Sequence, residues 1–122
     1  MIIAVDFDGV IVEDKFPEVG KPDLKMVRLL RRAYKKGHSI VLWTCRVNDK
    51  LEAAIKECEY VRLPLTVINS ADPGNLAEYG TDPRKVYADL YIDDKSVGYS
   101  KYKAYTALLN IIKQGEVNDE QR

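Results

Sequence analysis

Histidine is nearly missing from this chain and cysteine is scarce: His38 stands alone, and Cys45 and Cys58 are the only thiols. Two cysteines are too few for a disulfide framework or a zinc site, so reduced thiols in a cytoplasmic protein are expected. A single histidine placed just before an apolar run reads as structural or exposed, and no Ser-His or Cys-His arrangement suggests itself. Neither sign of charge is in excess, with 19 Lys plus Arg against 19 Asp plus Glu. A balanced chain has no broad field to draw nucleic acid or a membrane surface, although a local basic patch is left open. No stretch approaches the roughly 18 apolar residues of a membrane helix. The apolar run at 2–5 leads straight into Asp6, without the charged and apolar regions of a signal peptide, and none is expected.

What is present suits one globular domain. The chain has 122 residues, of which 46% are hydrophobic and 31% charged. That is enough for a core without cross-links. Residues 2–7 (IIAVDF) read as a short buried strand stopped by Asp8-Gly9. Residues 10–22 read as a loop or small hairpin. Leu24, Val27, Leu30 and Tyr34 recur at helical spacing and predict a helix over 23–36, capped by Asp23 and ended by Gly37. A second strand is expected at 39–43. A second helix follows, capped by Asn48 or Asp49 and running to about residue 62, with Leu51, Ala54, Ile55, Cys58 and Val61 on its inner face. A third strand at 65–68, a polar loop over 69–84 holding at most one helical turn, a fourth strand at 85–92 and a last helix at 102–113 complete the pattern. A polar tail is expected from Gly115, so that 1–115 form the domain and 116–122 the tail. There is no internal repeat. Strands alternating with helices predict an α/β fold, a Rossmann-like three-layer sandwich around a mainly parallel sheet. In such sheets ligands sit beyond the carboxyl ends of the strands, so the chemistry should follow strands.

It does. Asp6 and Asp8 close the first strand, and Gly9 turns the chain so that both carboxylates stand near the sheet's rim. Carboxylates this close repel unless a proton or a cation lies between them. Mg²⁺ suits such a set, because it takes oxygen ligands and keeps waters beside one or two carboxylates. The plain alternative is a turn in which aspartates cap backbone donors. Thr44 closes the second strand and has a hydroxyl to donate to a phosphate oxygen. Arg46 follows, either as a bidentate phosphate or substrate ligand or as an exposed loop residue. Lys85 opens the fourth strand, where an ammonium would neutralise bound phosphate, with Arg84 as an immediate rival and a merely solvated lysine as the plain alternative. Asp93 and Asp94 close the same strand and add two carboxylates to the rim.

Taken in order, these pieces resemble the haloacid dehalogenase (HAD) superfamily. DFDGVIVED looks like its first motif, VLWTCR like its second, and RKVYADLYIDDK like its third and fourth together, over residues 2–98. The last stretch is similar to small capless members, including bacterial capsule-biosynthesis-type phosphatases. The resemblance implies a Mg²⁺-dependent phosphomonoester hydrolase. Asp6 would attack phosphorus and form an aspartyl-phosphate. Asp8 would serve as general acid and then as base for the hydrolytic water. The ion would be held by the Asp6 carboxylate, the Asp8 main-chain carbonyl and Asp93, with Asp94 bound directly or through water. Thr44 and Lys85 would hold the phosphoryl oxygens. The intervals 10–43 and 45–84 leave no room for a cap domain, so the loops around 13–20 and 72–82, or a partner subunit, are the candidates for covering the site.

Two other readings apply to the same residues. A response-regulator receiver shares the size, the ion, a phosphorylated Asp, a Thr and a Lys. It carries its phosphoacceptor at the end of the third strand, where this chain has Ile68-Asn69. A HAD-fold phosphate-binding or regulatory module with little or no activity is the other, and the presence of both Asp6 and Asp8 argues against it. The expected partner is a phosphorylated substrate, small molecule or macromolecule, with no membrane. Nucleic acid is neither indicated nor excluded by the sequence. Its identity, and whether the chain forms a homo-oligomer, are left open.

Overall fold

The computed structural model describes residues 1–120, with side chains through Gln114. In chain order the elements are β1 (Ile2–Val5), α1 (Leu24–Lys35), β2 (Ser39–Leu42), α2 (Asn48–Tyr60), β3 (Val67–Ile68), α3 (Pro73–Tyr79), β4 (Leu90–Ile92) and α4 (Lys101–Glu120). The four strands form one sheet in the order β3-β2-β1-β4, and every pair is parallel. The fold is Rossmann-like α/β, as the alternation of elements predicts, and the described residues include no cap domain.

Strand alternation sorts the core into two layers. Ile3 and Val5 of β1, Ile40 and Leu42 of β2 and Ile92 of β4 point to one face. There they meet Met26, Leu30 and Ala33 of α1, Ala54 and Cys58 of α2, and Leu108 and Ile112 of α4. Ala4 and Val41 point to the other face and are covered by Val86 and Ala88, with Ile2, Trp43 and Val67 alongside. That second layer is thin. It is carried in part by the extended chain that leads from α3 into β4.

The helix α1 keeps its expected cap, since the Asp23 carboxylate accepts from the Met26 N–H, and Gly37 follows the helix with φ +97°. Leu24 and Tyr34, expected on the apolar face, are exposed instead. The N-cap of α2 is Val47, which makes no side-chain cap bond, rather than Asn48 or Asp49. Asn48 takes φ +53°. The expected turn in 69–84 is α3, capped by a buried Asp72 that accepts from Gly74 and Asn75. Helix α4 continues past the expected end at Lys113 to Glu120, and residues 121–122 of the expected tail lie outside the described residues.

The largest departure is the fourth strand, which spans three residues where eight were expected. Residues 85–89 have another task. Val86 and Ala88 dip onto the thin layer, and the Tyr91 hydroxyl turns back to donate to the Val86 carbonyl while accepting from Ala88 N–H. Asp89 then sets the register, its carboxylate accepting from Ile2 N–H and its own N–H donating to Ile2 O. Strand propensity is met here by burial without a ladder.

Two strands, β2 and β3, lie to one side of β1 and β4 lies to the other, so the strand order reverses beside β1. The crevice at the carboxyl ends of β1, β2 and β4 is therefore the place where such a sheet accepts a ligand. No helix among the described residues is long and apolar enough to cross a membrane.

Candidate active site

Asp6 leaves β1 where the sheet still holds its backbone, its N–H donating to Ile92 O at 2.9 Å. Phe7 is fully buried, and its carbonyl accepts from the amides of Val10, Ile11 and Val12, which folds the chain back at once. Gly9 sits in this turn at φ +86°, and a Cβ built on it would lie 2.1 Å from Asp94 Oδ2. Only glycine allows both that backbone and that approach. The two ends of a long stretch of sequence are thereby pressed together.

The result is a cluster of acids. One carboxylate oxygen from each of Asp6, Asp93 and Asp94 lies within 4.8 Å of the others, and all three residues are half-buried. Burial pushes the Asp6 carboxyl up to about 7, with the neighbouring Asp93 and Asp94 adding to it and the Phe7 N–H opposing. Asp94 Oδ1 is buried with no hydrogen-bond partner. A carboxylate oxygen without a donor, beside two more carboxylates, is costly unless a cation completes the set. The donor set is all oxygen, which suits a hard divalent ion such as Mg²⁺. These residues fit such an ion.

Thr44 stands at the end of β2. Its N–H donates to Asn69 Oδ1 at 2.8 Å, and its hydroxyl oxygen accepts from Arg46 N–H at 3.1 Å. With that acceptor role filled by the backbone, the hydroxyl proton is left to donate into the cavity. Asn69 was not singled out in the sequence. It sits at φ +52° just after β3, a conformation asparagine tolerates, and an Asn directly after an apolar run is the one local signal for it.

Arg46 is not the exposed loop residue of the plain alternative, being 2% exposed. Its Nε and Nη2 donate to Asp8 Oδ2 and Oδ1, each at 2.7 Å, a planar fork on the carboxylate. Asp8 is therefore turned toward Arg46, and its carboxylate is not part of the three-aspartate cluster.

Asp6, Asp8 and Asp94 share a cavity of about 340 Å³ with Thr44, Arg46 and Lys95, and Asp14, Phe16 and Cys45 complete its lining. Lys85 does not line it. Its ammonium lies 5.4 Å from the centre of the Tyr91 ring, on the segment that was expected to be strand. The lysine that does line the cavity is Lys95, exposed, with Nζ 3.7 Å from Asp94 Oδ2. It was passed over in the sequence, although it directly follows Asp93-Asp94 and the turn after a strand is where site residues gather. Cys58, by contrast, is core, its thiol pushed up to about 12 by burial.

No family model and no curated protein matches the chain. Among solved structures it is similar to a conserved protein coded by a locus of Bacteroides thetaiotaomicron, with 34% sequence identity over 90% of each chain and a TM-score of 0.77.

Proposed function

We propose that this chain, which belongs to the same family as that Bacteroides thetaiotaomicron protein, is a Mg²⁺-dependent phosphomonoester hydrolase of the HAD type, acting through an aspartyl-phosphate on Asp6. One observation carries the reading. Asp6 after β1, Thr44 just beyond β2, and Asp93 and Asp94 after β4 meet at one end of the sheet around an unpartnered buried carboxylate oxygen.

In this mechanism Asp6 attacks phosphorus in line, forming the Asp6–phosphorus bond as the ester bond breaks. Asp8 gives a proton to the departing oxygen. It then takes one from the water that attacks phosphorus and releases Asp6. Thr44 donates to a phosphoryl oxygen, and Lys95, rather than Lys85, supplies the side-chain ammonium. Asp6, Asp93 and Asp94 would hold the ion together with the Asp8 main-chain carbonyl. Bound there, Mg²⁺ offsets the charge of the phosphoryl oxygens. The substrate is a phosphomonoester small enough, or with an end slender enough, to enter the cavity of about 340 Å³. Two free thiols are in keeping with a cytoplasmic setting.

The test is a phosphate-release screen over sugar phosphates, nucleotides, nucleic-acid ends and phosphopeptides, with and without Mg²⁺. Release above the ion-free background is expected for at least one class, and none with any class would end the reading. A second reading, a phosphate-binding module without turnover, is favoured by the Arg46 fork, which occupies both Asp8 oxygens. Binding of inorganic phosphate with no release from any ester would support it.

A pH-dependent response to the ion is also expected. The folded, ion-free protein keeps a proton on Asp6 up to about pH 7, whereas the unfolded chain loses it near its ordinary value of about 4. A raised carboxyl stabilises the fold at low pH, and that contribution fades as pH rises from about 4 through 7. Above 7 the three carboxylates repel, and a cation relieves them. Mg²⁺ should therefore raise Tm clearly more at pH 8 than at pH 5.5. Equal shifts at both pH values would contradict this account of the cluster.

A further inference from the structure

Arg46 has five N–H groups, and all five are used. Nε and one Nη2 proton go to Asp8, the other Nη2 proton to Glu18 O at 2.8 Å, and the Nη1 pair to Pro17 O at 3.3 Å and Lys50 O at 3.2 Å. The guanidinium lies near two rings, with its carbon 5.1 Å from the centre of Phe7 and 5.2 Å from that of Phe16. One side chain thus joins the candidate acid, the loop that walls the cavity and the first turns of α2. That loop is itself closed tightly. Glu13 N–H donates to Lys21 O at 2.8 Å, and Gly20 packs so close that a Cβ on it would lie 1.9 Å from Glu13 O.

With no donor left over, Arg46 has nothing to offer a phosphate unless it abandons a partner and leaves that group unsatisfied. Resting on the hydrolase reading above, we propose that Arg46 is a positioning residue. Its fork fixes the plane of the Asp8 carboxylate relative to the 13–21 loop, so that the acid faces the leaving oxygen of an ester seated against Phe16. A planar fork sets the orientation of a carboxylate, and a point-like ammonium does not. The loop and the acid are held by the same guanidinium, so the wall that receives the leaving group and the residue that protonates it move as one unit.

The proton matters most when the leaving group is poor. An alkoxide needs it, whereas a dinitrophenolate departs without it. The inference therefore makes a selective demand on Arg46→Lys, compared on an alkyl phosphate and on 2,4-dinitrophenyl phosphate. The quantity to compare is kcat/KM, because it covers steps only through transfer to Asp6. We expect a loss of about 100-fold on the alkyl ester, the lower end of what acid catalysis contributes, and less than about fivefold on the aryl ester. Retained aryl activity also shows that the variant is folded. In an Asp8→Asn background, adding Arg46→Lys should cost little more on the alkyl ester, because the residue it positions has already been disabled. Hydrogen exchange of the 13–21 amides should quicken in Arg46→Lys. If that variant does not fold, Arg46→Gln, whose single amide nitrogen cannot form the two-nitrogen fork, takes the same two-ester comparison. Equal losses on both esters, or no loss on either, overturn the inference while leaving the hydrolase reading intact. A wild-type protein that hydrolyses neither ester under any Mg²⁺ condition overturns both.

Discussion

Asp6→Asn should lower Mg²⁺-dependent phosphate release by on the order of 10⁴-fold or more, measured against the best substrate from the screen. The amide oxygen carries no anionic lone pair to form the aspartyl-phosphate, and the two acids nearest it in the chain turn and the cluster are engaged elsewhere. Among the residues lining the cavity, Asp8 is held by Arg46, and Asp94 is packed over Gly9. The loss should not be one of folding. Asp6 has its carboxyl raised toward 7 by burial and by Asp93 and Asp94, so the charged form works against the native state. Removing that charge should leave the ion-free protein at pH 8 as stable as wild type or more so, with an unchanged or higher Tm. The combination is diagnostic: activity gone, fold kept, and the stabilising response to Mg²⁺ reduced. Undiminished release by Asp6→Asn would exclude it as the nucleophile.

Gly9→Ala should be the most damaging single methyl group near the site. Its φ of +86° penalises any Cβ by about 1–2 kcal/mol. The added carbon would also stand 2.1 Å from Asp94 Oδ2 and 2.5 Å from its Cγ, so the carboxylate must leave its place in the cluster. Displacing a ligand by altering its support costs about 10–100-fold in metal affinity. The control is Gly37→Ala, at φ +97° with nothing within 4 Å of the new carbon. It bears the backbone penalty alone. Urea unfolding should show both variants destabilised by at least about 1 kcal/mol, with Gly9→Ala the worse, and only Gly9→Ala should lose the Mg²⁺-induced rise in Tm. Matching behaviour of the two variants, with the Mg²⁺ response intact in both, would mean that Asp94 is not held where the geometry has it.

Much of this was legible in the residues. The runs IIAV and SIVL are short, branched and bounded, and each is a strand. The stripe on α1 ends at Gly37, which takes the φ of +97° there without a Cβ penalty. Asp6 and Asp93 could be assigned to one rim because each follows an apolar run in a chain whose alternation dictates a parallel sheet. Local pattern was enough there, since strand period and helix period are properties of the neighbouring few residues.

Other features depended on partners far along the chain. Arg46 is an ordinary loop residue until Asp8, Pro17, Glu18 and Lys50 converge on it, and its burial follows from five acceptors supplied by four separate residues. Lys85 is suggested by its place in the motif, yet a residue that precedes a parallel strand stands away from the sheet's carboxyl edge. Residues 85–89 cover the thin face of the sheet ahead of Leu90–Ile92, and the lysine that lines the cavity is Lys95, which follows the strand.

The amino-acid sequence by itself determined the α/β alternation and which aspartates could stand at the sheet's carboxyl edge, because hydrophobic period and turn chemistry act over a few residues. Only the tertiary structure decided which cations meet those aspartates and in what orientation. Charge pairing across 38 residues of chain is set by how layers pack, and a guanidinium takes the acceptors that packing brings within its reach.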